Sequence, residues 1–197
     1  AVTRSMTVTL SAASTKTVTV DFATADGTAT AANDYISTSG TLTFNPGITS
    51  QTLDVTIVQD AIDEAHETFD VVINNSANAT ISDATGVMTI TDDETTPSLS
   101  IADASTTDET AANLTATVTL SGQSSSTVTV DYATSDGTAS AAADYTNTSG
   151  TLTFNPGDTT QTFNIPILAD TIDESNETFS VTLSSPTNAT INDLLGQ

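Results

Sequence analysis

The chain has 197 residues, 25 Asp and Glu against only Arg4 and Lys16, a single His and no Cys, and a formal charge of −23. Without Cys there is neither a disulfide framework nor a thiolate zinc or iron–sulfur site, and one His excludes a multi-histidine metal centre. The acidic balance argues against nucleic acid, whose phosphates are held mainly by Lys and Arg, and no apolar run approaches the ~20 residues of a membrane helix, so neither partner nor membrane insertion is expected.

Thr, with 44 copies, favours strands over helices, and alternation at period two recurs along the chain. Met6, Val8 and Leu10 share one face against Thr7 and Thr9. Val18, Val20 and Phe22 follow, then the turn Asp26-Gly27, a run SGTLTF, and the turn Asn45-Pro46-Gly47. Leu53, Val55 and Ile57 lead into an acidic stretch holding Asp60, Asp63, Glu64 and Glu67. Phe69, Val71 and Ile73 and the segment GVMTITDDE at 86–94 close the series.

The series then starts again. TVTVDFATADGTATAANDY at 17–35 returns as TVTVDYATSDGTASAAADY at 127–145, and DAIDEAHETF at 60–69 returns as DTIDESNETF at 170–179. The offset is 110 throughout, and residues 1–87 paired with 111–197 give 50 identities. Two tandem domains are expected, 1–95 and 96–197, joined at DDETTP. Residues 97–110 have no counterpart in the first copy, and only Gly196 and Gln197 answer GVMTITDDE in the second. The first copy is therefore expected to lack its opening strand and the second its closing one. Either the sequence is a window on a longer array, or neighbouring chains supply strands by complementation. About seven short strands per repeat with one apolar and one Thr-rich face imply an all-β, immunoglobulin-like Greek-key sandwich in each copy.

The acids concentrate in the 60–67 loop, its copy at 170–177, and at strand ends: Asp34, Asp144, Asp92, Asp93, Glu94, Asp108 and Glu109. Carboxylates crowded at one end of a sandwich repel unless a cation neutralises them. Calcium suits such a site because it takes 6–8 oxygen ligands with flexible geometry; the alternative is a solvated acidic rim. No EF-hand loop is present.

VDFATADGTATAANDY, SGTLTFNPG, D-x-I-x-E-x-x-E-T-F (Asp60 to Phe69) and TITDDE, in that order, resemble the Calx-β domain family, known from sodium–calcium exchangers and large bacterial surface proteins. The resemblance implies a seven-stranded sandwich with a calcium cluster at one end. Carried over by motif position, it implies Asp34, Asp60, Ile62 (through its carbonyl), Glu64, Glu67, Asp92, Asp93 and Glu94 as ligands in the first repeat. In the second it implies Glu109, Asp144, Asp170, Ile172, Glu174 and Glu177. Gln59 and Ala169 stand where calcium-rich members carry another acid, so one or two ions per domain are expected.

His66, matched by Asn176, is expected to be a spectator in the acidic loop. Asp21 and Asp131 are expected to be solvent-facing strand residues or hydrogen-bond partners, not ligands, and Asp26 and Asp136 to serve the Asp-Gly turn by bonding their own backbone. No nucleophile elbow accompanies His66, and without Trp there is little to stack a sugar, so no enzyme is expected. The Thr ladders suit the wet face of a sheet; an ice- or glycan-binding face is the other reading. The sequence supports a calcium-binding repeat of an extracellular or cell-surface bacterial fibre, filament or adhesin, its partners being neighbouring repeats or identical subunits. The alternative is a calcium-responsive module that binds a glycan, ice or a cell surface.

Overall fold

A computed structural model describes residues 2–106, 112–169, 175–193 and 195–196. Every regular element among them is a strand. In chain order these are β1 (Val2–Thr9), β2 (Val18–Asp26), β3 (Ser39–Phe44), β4 (Ser50–Ile57), β5 (Ile62–Asp63), β6 (Glu67–Ala77) and β7 (Thr85–Ile90). There follow β8 (Ser98–Ile101), β9 (Asn113–Leu120), β10 (Gln123–Ser124), β11 (Val128–Asp136), β12 (Ser149–Phe154), β13 (Thr160–Pro166), β14 (Phe179–Thr187), β15 (Thr190–Ile191) and β16 (Leu195–Gly196). No helix among the described residues is long and apolar enough to cross a membrane. The chain divides into two compact units, Ala1–Asp60 with Ala65–Asp92, and Ala61–Glu64 with Asp93–Gln197.

In the first unit a four-stranded sheet, β3-β2-β6-β7, is fully antiparallel and shares its core with the β1-β4 pair. The alternation seen in the sequence decides which side is which. Val18 and Val20 of β2, Leu42 and Phe44 of β3, Phe69 and Val71 of β6, and Leu53, Val55 and Ile57 of β4 are all buried in one cluster. Each such side chain contributes about 1.5–3 kcal/mol by leaving water. On the wet face the Thr41 hydroxyl donates to Asp21 Oδ1 at 2.6 Å, and Thr151 does the same for Asp131 at 2.6 Å. Asp21 and Asp131 thus take the strand role expected of them.

The second unit repeats the plan with sheets β12-β11-β14-β16 and β13-β9-β8-β15, the latter including a parallel β15–β8 contact. A short β5–β10 parallel ladder also belongs to this unit. Strand β8 pairs Leu99 with Leu120 and Ile101 with Val118, and both apolar side chains enter the core. In the first unit Met6, Val8 and Leu10, the equivalents of Ala116, Val118 and Leu120, are only half-buried. Strand β16 pairs Gly196 with Val181, as Gly86 of β7 pairs with Val71. The closing strand of the second repeat is therefore present in its first ladder positions.

Both copies carry the same bulge. Between Thr19 and Asp21 the partner strand β6 spends an extra residue, with Asn75 at φ 49°, and β14 does so with Ser185 at φ 50°. Such an insertion bends and twists the strand locally. Asn78, at φ 61°, donates its Nδ2 to the Thr17 carbonyl at 2.8 Å, and Asn188 repeats the bond to Thr127 at 2.9 Å. These two asparagines thus fasten the chain after the bulge.

Candidate metal centre

The first sandwich ends in a tight loop, residues 27–35, between β2 and the approach to β3. Gly27 passes directly over β6: a Cβ there would lie 2.4 Å from the Thr68 carbonyl oxygen, so only glycine fits. Two further bonds fasten the loop to the same strand. Ala29 N–H donates to the Thr68 carbonyl at 2.9 Å, and Thr68 N–H donates to Thr28 Oγ1 at 2.8 Å. The loop is thereby held against the start of β6, where Glu67 sits.

Within the loop, Tyr35 is buried and stacks on Phe69, ring centres 4.1 Å apart. Its hydroxyl donates to Asp26 Oδ1 at 2.6 Å, and the same oxygen accepts Ala31 N–H at 2.8 Å. These two bonds hold the Asp26 carboxyl below the usual carboxylate range, the tyrosine contributing most. Burial, then the Asp26 bond, push the Tyr35 hydroxyl up to about 12. The expectation that Asp26 merely closes its own turn is corrected: its partners are a core tyrosine nine residues on and the amide five residues on. Asp136 repeats the arrangement with Tyr145 at 2.7 Å and Ala141 N–H at 2.9 Å, and Tyr145 stacks on Phe179 at 4.2 Å.

Asp34 precedes the buried tyrosine. Its Oδ2 accepts from Thr30 N–H at 2.7 Å and from the Thr30 hydroxyl at 3.0 Å, while its backbone carbonyl accepts Val58 N–H at 3.0 Å. The carboxylates of Asp34 and Glu67 meet within the first unit, with oxygens within 4.8 Å of one another, and both residues are half-buried. Burial, followed by the Asp34 charge and a hydrogen bond with Asp34, raises the Glu67 carboxyl above the ordinary glutamate range.

Two of the eight residues proposed from the first repeat, Asp34 and Glu67, thus meet; Glu64 is half-buried and belongs to the second unit. Asp60 and Asp93 are exposed, and Ile62, Asp92 and Glu94 are half-buried. Sequence reasoning gave Asp26 only a turn role and gave none to Thr30 and Tyr35, which together place Asp34. His66 is not idle: its Nδ1 accepts Asp92 N–H at 3.2 Å, joining the acidic loop to the acidic run that follows β7.

In the second unit Asp144 keeps the geometry of Asp34. Ser140 takes the part of Thr30, its N–H at 2.6 Å and hydroxyl at 3.2 Å from Asp144 Oδ2, and Leu168 N–H donates to the Asp144 carbonyl at 2.9 Å. Glu177 is exposed. Glu109, Asp170, Ile172 and Glu174 lie outside the described residues.

Two carboxylates with no sulfur or imidazole make a hard, oxygen-only donor pair, suited to calcium or magnesium and not to soft transition metals. Oxygens around one calcium at about 2.4 Å lie at most about 4.8 Å apart, so the pair fits a single such ion.

The Calx-beta domain profile matches the chain twice, over residues 2–94 and 91–197. Sodium/calcium exchanger 1 of Canis lupus familiaris is 32% identical over 193 residues, covering 87% of this chain and 20% of that protein. Sodium/calcium exchanger 3 of Homo sapiens is 47% identical over 64 residues, covering 32% of this chain and 7% of that protein. The chain spans about a fifth of the length of the first of these relatives. Among solved structures, the calcium binding domain CBD12 of CALX1.1 aligns with a TM-score of 0.46 at 22% identity, over 93% of this chain and 73% of that one. The apo-form Calx CBD1 domain aligns with a TM-score of 0.43 at 31% identity, over 44% of this chain and 79% of that one. The two profile matches together cover almost every residue, and the chain belongs to the Calx-beta domain family.

Proposed function

We propose that this chain is a calcium-binding structural repeat of an extracellular or cell-surface fibre, filament or adhesin. The observation that carries the calcium reading is the meeting of Asp34 and Glu67 within 4.8 Å, in a family whose named relatives are sodium/calcium exchangers. Like charges at that spacing destabilise the loop end of the sandwich, and a divalent cation removes the repulsion. Asp60, the Ile62 carbonyl, Asp92, Asp93 and Glu94 are the further oxygen donors for this ion or a second one. In the second repeat Asp144 and Glu177 act with Glu109, Asp170, Glu174 and the Ile172 carbonyl.

The structural role draws support from duplication. Asp34 and Asp144 are framed by the same bonds, as expected of repeats multiplied for reach and not specialised for different tasks. Calcium then serves to stiffen each module, and sites of about 10⁻⁴–10⁻³ M suffice at extracellular calcium levels. A calcium-responsive binding module is the second reading, favoured by kinship with the exchangers; it predicts unlike affinities in the two units.

Titration calorimetry of the chelator-treated chain tests the calcium reading. Saturable calcium binding is expected in both units, with a Kd in the range of about 10⁻⁴–10⁻³ M. Absence of saturation at several millimolar calcium refutes it. Protease shaving of intact cells of the source organism tests the location: loss of the protein from the surface is expected, and full protection contradicts a surface role.

A further inference from the structure

Asp34 is framed by bonds from within its own loop. Two donors from Thr30 arrive on Oδ2, and a carboxylate oxygen has two lone-pair directions. Asp34 N–H donates back to the Thr30 carbonyl at 3.0 Å, closing the turn on itself. Its neighbour Tyr35 is anchored by Asp26 and by Phe69, and Phe69 lies two residues beyond Glu67 on β6. Between these anchors Ala32 is held at φ 77°, a left-handed conformation that is unfavourable for an alanine. The loop therefore does not adopt this shape by local preference. The second unit reproduces the device with Ser140, Asp136, Tyr145 and Ala142 at φ 71°.

We propose that Thr30, Tyr35 and Asp26 are positioning residues for the cation: they fix Asp34 with Oδ2 engaged, so that it meets calcium through Oδ1 alone. This rests on the calcium reading above. A one-oxygen contact keeps Asp34 directional, and the frame removes the entropy the loop would otherwise lose on binding. The geometry also assigns the hydroxyl as the needed group at position 30, which Ser supplies at position 140.

The test compares Thr30→Ala, Thr30→Ser and Tyr35→Phe in the full chain by calcium titration, with amide exchange of residues 30–34 in chelator. Loss of partners that orient a ligand typically weakens metal affinity 10–100-fold. Thr30→Ala is expected to weaken the first-unit Kd about tenfold or more, at unchanged stoichiometry, and to speed exchange of the loop amides without metal. Thr30→Ser is expected to restore both. Tyr35→Phe is expected to weaken affinity while the unit stays folded. Unaltered affinity in Thr30→Ala, with faster exchange, overturns the positioning role and leaves the calcium reading intact. Wild-type chain that binds no calcium at the first unit overturns both.

Discussion

Replacing Glu67 by Gln should stabilise or destabilise the first unit according to whether calcium is present. Asp34 and Glu67 place carboxylate oxygens within 4.8 Å of each other. Two unit charges at that distance repel by about 0.9 kcal/mol in bulk water and about 3.5 kcal/mol at an effective dielectric of 20. Both side chains are half-buried, so roughly 1–2 kcal/mol survives solvent screening. In chelator at pH 7 the glutamine variant should therefore be the more stable protein. At about 4–8 °C per kcal/mol for a unit of this size, the midpoint of the first unit rises by about 5–15 °C.

The pH dependence fixes the mechanism. Burial and the Asp34 charge raise the Glu67 carboxyl, so the folded state holds that proton more tightly than the unfolded one. Its contribution is full below the ordinary glutamate range and is lost as pH rises through the raised value. The advantage of Gln should thus vanish near pH 4. With calcium at a hundred times Kd, wild type gains about 2.7 kcal/mol, and the order reverses because Gln removes an anionic ligand. Differential scanning calorimetry at pH 4 and 7, with chelator and with calcium, measures all four cases. A metal-free Glu67→Gln midpoint at or below wild type at pH 7, or the same order in calcium, refutes the electrostatic account.

Further expectations follow from the loop frame. Tyr35→Phe removes a charge-assisted bond of 2.6 Å from a buried hydroxyl and should cost about 1.5–2 kcal/mol by chemical denaturation. Because the Tyr35 and Tyr145 hydroxyls are pushed from 10.0 up to about 12, their contribution is complete below pH 10 and lost as pH rises through 12; the double Phe variant should lose this alkaline limb. Gly27→Ala drives a methyl to 2.4 Å from a backbone oxygen and should cost about 2–3 kcal/mol. Gly47→Ala, at φ +87° in open space, should cost only about 1 kcal/mol.

The sandwich was legible because burial obeys the period-two pattern: Val18 and Val20, Leu53 and Val55, Phe69 and Val71 face inward as their alternation with polar neighbours predicts. The bulges were not, since Asn75 and Ser185 lie inside ordinary strand sequence and only cross-strand register exposes the extra residue. Asp26 misled for a related reason. An Asp-Gly pair suggests a local turn, whereas its true partner Tyr35 comes within reach only once the loop curls back over β6. The meeting of Asp34 with Glu67, 33 positions apart, came from family resemblance; spacing alone contains nothing that brings the two loops together. Thr30 was invisible among 44 threonines, although Ser at position 140 preserves its hydroxyl.

The central claim, that the carboxylates of Asp34 and Glu67 form a calcium site, is tested most directly by thermal unfolding of the wild-type chain and of the Asp34→Asn, Glu67→Gln double variant. Each is measured in excess chelator and in 2 mM calcium, a level about two- to twentyfold above the expected Kd. The account predicts a calcium-dependent rise in the first-unit midpoint of the wild type that the double variant lacks. A midpoint indifferent to calcium, or a rise of equal size in the double variant, would contradict it.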